Sequence, residues 1–332
     1  MKHRIRELLY QKGGEYVSGQ AISQQLGISR TAVWKHIQTL QKEGYAIESI
    51  RNKGYRLIMQ ETQLMPESVK SFLETRWLGQ PLVVMDTVDS TNTWARKHIH
   101  QLEHGAVVVA EEQTAGKGRR GKEWKSVKGE GLWCTLVLRP EIAMQEGGRM
   151  TLLAAAALLQ AIQQVTGVSV KIKWPNDLVV EDRKMCGILA EMAGELSRVE
   201  YMLVGVGINV NQQRFPEELA ETATSLFMQT NQVTSRHRLL ASFLNFFEAH
   251  YDCWINEQSY QPVLELVRKA SSLINHPIYV IRGDERIKGR AVAISDDGGL
   301  EVVYEDGTRE VLMGGEVSVR KKMERANENT NH

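Results

Sequence analysis

Apolar positions recur along residues 1–60 with the spacing of short helices. Ile5, Leu8 and Leu9 line one face of a first helix. Ala21, Ile22 and Leu26 line a second, which Ser18 caps and Gly27 ends with a turn. A third helix opens at the capping residue Ser29, and its Val33, Ile37 and Leu40 stand at i, i+4 and i+7. That stripe faces inward and leaves Arg30, Thr31, Trp34 and Lys35 outward. Residues 45–58 alternate as two strands around a turn at Asn52-Lys53-Gly54, with Arg51, Lys53 and Arg56 near its tip. Three helices and a basic hairpin make the pattern of a winged helix-turn-helix.

Beyond a polar connector, the periodicity alternates between strand and helix to about residue 258. Runs at 82–85, 106–110, 132–138, 170–173 and 202–208 read as strands, and 151–164 and 235–254 as helices. This is a sheet with helices, one domain in size. From residue 278 the strands are short and punctuated by Asp297-Gly298 and Asp306-Gly307, both hairpin turns, as in a small β-barrel. The class is therefore α+β. The expected domains are 1–60, 67–272 and 276–320, followed by a disordered polar tail at 321–332.

Composition adds a charge asymmetry. The 332 residues carry a net charge of +1, but residues 1–60 hold ten Lys/Arg against four Asp/Glu, a net +6, and the remainder −5. A helix with a polar, basic first turn suits the major groove of DNA, while a basic wing neutralises phosphates. The competing reading is a protein-interaction module with solvated basic residues. Cys134, Cys186 and Cys253 are widely spaced and odd in number, so neither a disulfide framework nor a CxxC metal site is indicated. The longest apolar run, 152–159, is far short of the ~18 residues that cross a bilayer, and the N-terminus has no apolar signal core. The expected location is the cytoplasm, with no membrane partner.

Residues 116–122, GKGRRGK, spell both a dinucleotide fingerprint and a P-loop, and fit neither. The first needs a helix at its third glycine, and here the chain runs into a strand. The second needs Ser or Thr after the lysine, and position 123 is Glu. Three glycines still permit close backbone approach, and Lys117, Arg119, Arg120 and Lys122 place four cations on one short loop, which suits a phosphate or a mixed anhydride. A second cluster, Lys173-Trp174-Pro175-Asn176-Asp177, precedes Lys184 in a hairpin. A lysine entering an apolar strand demands an anion, either Asp177 or a ligand's carboxylate or phosphate. A third, residues 205–211 with the sequence GVGINVN, offers backbone with little side-chain bulk, suited to a flat ligand or to strand packing.

Together with Asp89-Ser90-Thr91-Asn92 and the QTAGKGRRG run from Gln113, these motifs stand in the order and spacing of the biotin protein ligase family. The N-terminal winged helix makes the chain similar to the bifunctional bacterial form that also represses biotin genes. The resemblance covers nearly the whole chain. It implies a class II synthetase-like central sheet and an SH3-like terminal barrel. It also implies a two-step reaction: biotin and MgATP give biotinyl-5′-adenylate, whose biotinyl group passes to a lysine of a biotin carboxyl carrier protein.

By the same likeness, Ser90, Thr91, Asn92, Gln113, Gly116, Lys117 and Lys184 bind biotin, and Gly187, Leu189, Gly205 and Gly207 wall its slot. Lys184, Arg119 and Arg120 offset the repulsion between carboxylate and α-phosphate. Arg119, Arg120, Trp124, Asn176, Asn209 and Arg320 hold the nucleotide. Asp177 positions Mg2+ or accepts the incoming lysine's proton. Ser29, Arg30, Thr31, Trp34, Lys35, Arg51 and Lys53 meet operator DNA as a ligand-induced homodimer. Lys117 departs from the family's usual arginine, and residues 214–226 lack a tryptophan that some relatives carry. Glu316 and Arg320 lie where relatives have charges that couple barrel to site. Two rivals remain: a biotin-sensing regulator without transfer, and a lipoyl-type ligase.

Overall fold

A computed structural model describes all residues except 13–14, 43–44, 46, 51–52, 58–62, 315–317 and 322–332; the side chains of 3, 10, 11 and 318–321 are also undescribed. The wing residue Arg51, the barrel residue Glu316 and nearly all of the expected tail therefore lie outside the described residues. The chain divides into two compact units, Met1–Leu73 with Ser235–Ala241, and Glu74–Thr234 with Ser242–His332.

In the first unit, α1 (Lys2–Gln11), α2 (Gly19–Leu26) and α3 (Arg30–Lys42) precede a hairpin of β1 (Ile47–Ile50) and β2 (Gly54–Leu57). A short α4 (Pro66–Lys70) follows. Ser18 Oγ accepts from Ala21 N at 3.0 Å and Ser29 Oγ from Ala32 N at 3.1 Å, so both serines satisfy an amide that has no partner within the helix. Gly27 ends α2 with φ of 65°, the left-handed backbone that glycine adopts without strain. Ile5, Leu9, Ile22, Val33, Ile37 and Leu40 are fully or almost fully buried together, closed by Ile47 and Leu57 of the hairpin. Burial of this stripe turns the polar face of α3 outward: Ser29, Arg30, Thr31 and Lys35 are exposed, and Trp34 is 52% exposed. The two-stranded hairpin is extended by one isolated bridge, in which Val17 pairs with Tyr55 through two backbone hydrogen bonds. Gly54 permits that pairing, since a Cβ there would lie 2.1 Å from Val17 O.

The second unit is built on a seven-stranded mixed sheet. It begins with β3 (Leu82–Val88), α5 (Thr91–Lys97), β4 (Val107–Gln113), β5 (Gly131–Leu138) and α6 (Gly147–Thr166). It continues with β6 (Lys171–Lys173), β7 (Asp177–Val180), β8 (Arg183–Glu195) and β9 (Arg198–Asn209). The strand order is β3-β4-β5-β9-β8-β7-β6, with only the β3–β4 pair parallel. The helix α5 supplies the crossover that a parallel pair requires. Strand β5 is buried along its whole length, and the apolar stretch of α6 is buried with it. The short α7 (Glu217–Ala220) and α8 (Leu226–Thr230) lead to α9 (Arg236–Ile255) and α10 (Gln261–Ala270).

The chain ends in an antiparallel sheet of β10 (Pro277–Arg282), β11 (Glu285–Ile294), β12 (Leu300–Tyr304), β13 (Arg309–Leu312) and β14 (Ser318–Lys321), in the order β13-β12-β11-β10-β14. Among the described residues β13 and β14 are its edges, so the expected barrel is an open sheet there. Trp174 ties this sheet to the central one: it is buried, and its Nε1 donates to Gly298 O at 3.0 Å.

Candidate active site

The sheet gathers the cleft from four directions. Gln113 ends β4, and Ser90 and Thr91 open α5. The loop after β4 carries Lys117, Arg119 and Trp124, while β8 and β9 supply Lys184, Gly187, Leu189, Gly205 and Gly207. Asn92 and Asn176 complete the lining among the residues assigned from sequence. Gly116, Arg120, Asp177, Asn209 and Arg320 are not part of that lining.

Ser90 stands at the N-cap of α5 and is buried, yet its hydroxyl makes no capping bond. An N-cap serine so placed leaves its hydroxyl for another partner. Its own N–H donates to Asp89 Oδ1 at 2.7 Å, which, ahead of the ion pair with Lys97, holds that carboxyl below the usual aspartate range. Gln113 Oε1 accepts from Thr91 N at 2.9 Å, and its Nε2 donates to Ser126 Oγ at 2.8 Å. The amide is thereby fixed in orientation at the mouth of the slot.

The loop of cations folds back on itself as a hairpin. Trp124 N donates to Gly116 O at 2.9 Å and Gly118 N to Lys122 O at 2.7 Å. A Cβ at Gly116 would lie 2.3 Å from Trp124 O, so the close return of the chain demands glycine. The indole of Trp124 is laid against β8 and β9: Cβ atoms at Gly187 and Gly207 would meet it at 2.8 Å and 2.4 Å. Trp124 thus packs on two of the glycines that the resemblance implied as slot walls, and its buried Nε1 has no hydrogen-bond partner among the described residues.

Arg119 reaches across the cleft. It donates to Asn176 Oδ1 at 2.9 Å and to the carbonyl of Gly314, in the turn that follows β13. Burial, followed by the neighbouring Arg120, draws its pKa downward. Asn176 is held in turn, donating to Ile188 O at 3.0 Å. Arg120 occupies left-handed backbone at φ 56°. Lys184 Nζ lies 2.7 Å from Asp177 Oδ1 and 5.1 Å over the Trp124 ring, so the carboxylate and the ring face share one ammonium. Asn209 is buried with its Nδ2 donating to Thr224 O at 3.1 Å, and its Oδ1 accepting from Gln212 at 3.3 Å. These bonds join residues 211–225 to β9. Lys184 N and O pair with Thr222 O and Thr224 N, so the segment without a tryptophan continues the sheet beside Lys184. For Arg320 the strand position opposite Tyr279 is described and the side chain is not.

Four groups at the cleft escaped sequence reasoning. Thr135 donates to Asn92 Oδ1 at 2.6 Å and lies 2.8 Å from Thr91 Oγ1; a threonine within the apolar run of β5 is the signal that could have found it. Glu191 accepts from Asn92, and Ser126 from Gln113. Gly314 acts through a carbonyl, which no side-chain pattern announces. Among the described residues no three His, Cys, Asp or Glu side chains converge as a metal site, and no helix is long and apolar enough to cross a membrane.

Comparison with known proteins agrees with this architecture. Residues 84–209 match the biotin/lipoate A/B protein ligase family, 2–56 an HTH domain and 273–320 a biotin protein ligase C-terminal domain. The bifunctional ligase/repressor BirA of Bacillus subtilis is 39% identical over 318 residues, covering 94% of this chain and 96% of that one. Its namesake in Escherichia coli is 31% identical, covering 92% and 94%. Among solved structures, the biotin protein ligase of Aquifex aeolicus in complex with biotin and ATP superposes with a TM-score of 0.65 at 27% identity, covering 73% of this chain and 99% of that one. With a helix-turn-helix unit ahead of the cleft and relatives matched nearly end to end, the chain belongs to the biotin protein ligase family, in its bifunctional ligase/repressor form.

Proposed function

We propose that the cleft makes biotinyl-5′-adenylate from biotin and MgATP, and passes the biotinyl group to a lysine amine of a biotin carboxyl carrier protein. The observation that carries this reading is the convergence on one cleft of uncharged hydrogen-bonding groups, bare glycine backbone and three cations, Lys117, Arg119 and Lys184. Ser90, Thr91 and Gln113 supply aimed polar groups for a neutral ureido ring, with Asn92 behind them. Gly187, Leu189, Gly205 and Gly207 leave room for the ring beside Trp124, and Gly116, outside the lining, acts by letting the chain return closely so that Trp124 is set there. Slots of this kind suit a small ligand with few polar atoms.

Activation must join two anions, the carboxylate and the α-phosphate. Fixed cations offset their repulsion and stabilise charge in the transition state. Lys184 and Arg119 fill that role, oriented beforehand by Asp177 and Asn176. Lys117 and Arg120 add charge at the cleft's edge. Asn176, Asn209, Trp124 and Arg320 hold the nucleotide; Asn209 does so by fixing the adjoining segment. Asp177 would either steady the Mg2+ that ATP carries, which would neutralise phosphate charge, or serve as a proton acceptor in the second step. In the second step the adenylate carbonyl carbon is attacked by the neutral amine, AMP leaves, and the amine proton passes to an acceptor, for which Asp177 is the candidate where it does not hold Mg2+.

The adenylate also serves as corepressor. Ligand-ordered loops extend a homodimer surface, and two copies of α3 then meet a two-fold symmetric operator through Ser29, Arg30, Thr31, Trp34 and Lys35, with Arg51 and Lys53 at the wing. The domain division 1–60, 67–272 and 276–320 and a cytoplasmic location complete the proposal. Labelled biotin supplied with ATP and an apo carrier domain tests it. Transfer that unlabelled biotin competes away and lipoate does not is expected. Adenylate without transfer points to a sensing regulator, and preference for lipoate to a lipoyl-type ligase.

A further inference from the structure

A chain of hydrogen bonds runs beneath the slot from a carboxylate that does not line it. Glu191 of β8 is ion-paired with Arg96 of α5 and accepts from Asn92 Nδ2 at 2.8 Å; Leu189 O accepts from the same nitrogen at 3.3 Å. A carboxylate only accepts, so the amide nitrogen of Asn92 must face it and the amide oxygen must face away. That oxygen meets Thr135 Oγ1 at 2.6 Å. An amide oxygen also only accepts, so Thr135 commits its single hydrogen there. Thr135 Oγ1 and Thr91 Oγ1 are 2.8 Å apart, a spacing that needs a proton between them. With Thr135's hydrogen already placed, Thr91 must donate its own to Thr135, in preference to Gln113 Oε1, which lies 3.2 Å from Thr91 Oγ1, longer than an ordinary O–H···O bond. Thr91 therefore reaches the slot with lone pairs and no hydrogen to give.

We infer that Glu191 sets the donor–acceptor polarity of the slot: through Asn92 and Thr135 it fixes Thr91 as an acceptor, and so selects a ligand that presents an N–H there. The inference rests on the proposed binding of biotin, whose ureido ring carries two such N–H groups. Thr91, Asn92 and Thr135 are all buried, so bulk water does not rewrite the chain. Gly205 leaves space for it, since a Cβ there would lie 2.4 Å from Asn92 Oδ1. Glu191 is a positioning residue, acting through two others.

Glu191→Gln tests the inference. Arg96 draws the oxygen of the substituted amide, leaving an NH2 group to face the NH2 of Asn92. Asn92 then turns over, giving up only the long contact to Leu189 O, Thr135 is freed to donate to Thr91, and the Thr91 hydrogen is released for a ligand acceptor in the slot, with Gln113 Oε1 at 3.2 Å its weaker alternative. The measurement is adenylate formation from biotin and from its two cyclic carbamate analogues, each with one ring N–H replaced by oxygen. The unaltered protein is expected to prefer biotin over the responsive analogue by about tenfold or more. In Glu191→Gln the KM for biotin rises about tenfold, that for one carbamate regioisomer holds or falls, and KM for ATP and kcat stay within about twofold. Thr135→Val cuts the relay without touching Glu191, and is expected to erase the same preference; it decides the matter if Glu191→Gln does not fold. Equal weakening of biotin and both analogues, or an unchanged preference, would overturn the inference. Failure of the unaltered protein to adenylate biotin would instead overturn the reading on which it rests, and this inference with it.

Discussion

Gly207→Ala places a methyl group against the Trp124 indole. Its Cβ would lie 2.4 Å from Nε1, 2.5 Å from Cε2 and 2.9 Å from Cζ2, whereas ordinary contact is about 3.5–4.0 Å. The ring must retreat by roughly 1 Å, because the methyl group is fixed to a strand paired on both sides with Trp133 and Gly187. Retreat carries Trp124 off the wall it shares with the ligand and turns its ring away from Lys184. A misplacement of about 1 Å near reacting groups lowers rate by about a hundredfold. The strand itself gains, since alanine is favoured over glycine there by up to about 1 kcal/mol. The expected result is a folded protein with an unlowered Tm whose kcat/KM for biotin in adenylate formation falls at least thirtyfold, about 2 kcal/mol. Gly148→Ala, where nothing lies within 4 Å of the added carbon, serves as control. An unchanged kcat/KM for biotin in Gly207→Ala, with the Tm preserved, would refute the reasoning that Trp124 and the glycines form one binding wall.

Two further predictions follow from other parts of the chain. Burial lowers the pKa of His104, whose Nδ1 accepts from Arg139 N at 2.9 Å, so the folded state resists a proton that the unfolded chain takes near the ordinary value of about 6.5. Stability is therefore greatest above that pH and falls as pH drops through it; thermal unfolding between pH 8 and pH 5 should show this slope, and His104→Gln should flatten it. Lys35→Ala and Lys53→Ala are each expected to reduce the salt dependence of DNA binding by about one counterion, measured by titration at several salt concentrations on a duplex selected by the full-length protein.

The first unit was legible because its determinants are local. Ser18 and Ser29 cap within three residues, and the Val33-Ile37-Leu40 stripe decides by itself which face of α3 is exposed. The strands of the central sheet were legible one by one, but their order was not. Nothing local tells residues 82–88 to run parallel to β4 when every other pair is antiparallel. The site shows the same division. The glycine run and Lys184 announced themselves by type and spacing, and residues 90–92 entered through the family resemblance, yet what they touch depends on strands distant in sequence. Trp174 sits in the motif beside Asn176 and serves the C-terminal sheet. Asn209, which the resemblance implied as a nucleotide contact, donates to Thr224 O and accepts from Gln212, contacts that its place in the motif does not announce. Gly314 and Glu191 enter through a carbonyl and through a relay, and neither leaves a mark on composition or periodicity.

The central claim is that fixed positive charge at Lys184 and Arg119 lets two anions combine. Biotin-dependent exchange of labelled pyrophosphate into ATP measures that step alone, without carrier protein or DNA. The account predicts that Lys184→Glu combined with Arg119→Glu lowers the exchange rate by about a thousandfold or more, an effect of the size that removal of preorganised charge produces, while thermal unfolding remains cooperative. Exchange at the unaltered rate in that double variant would contradict it.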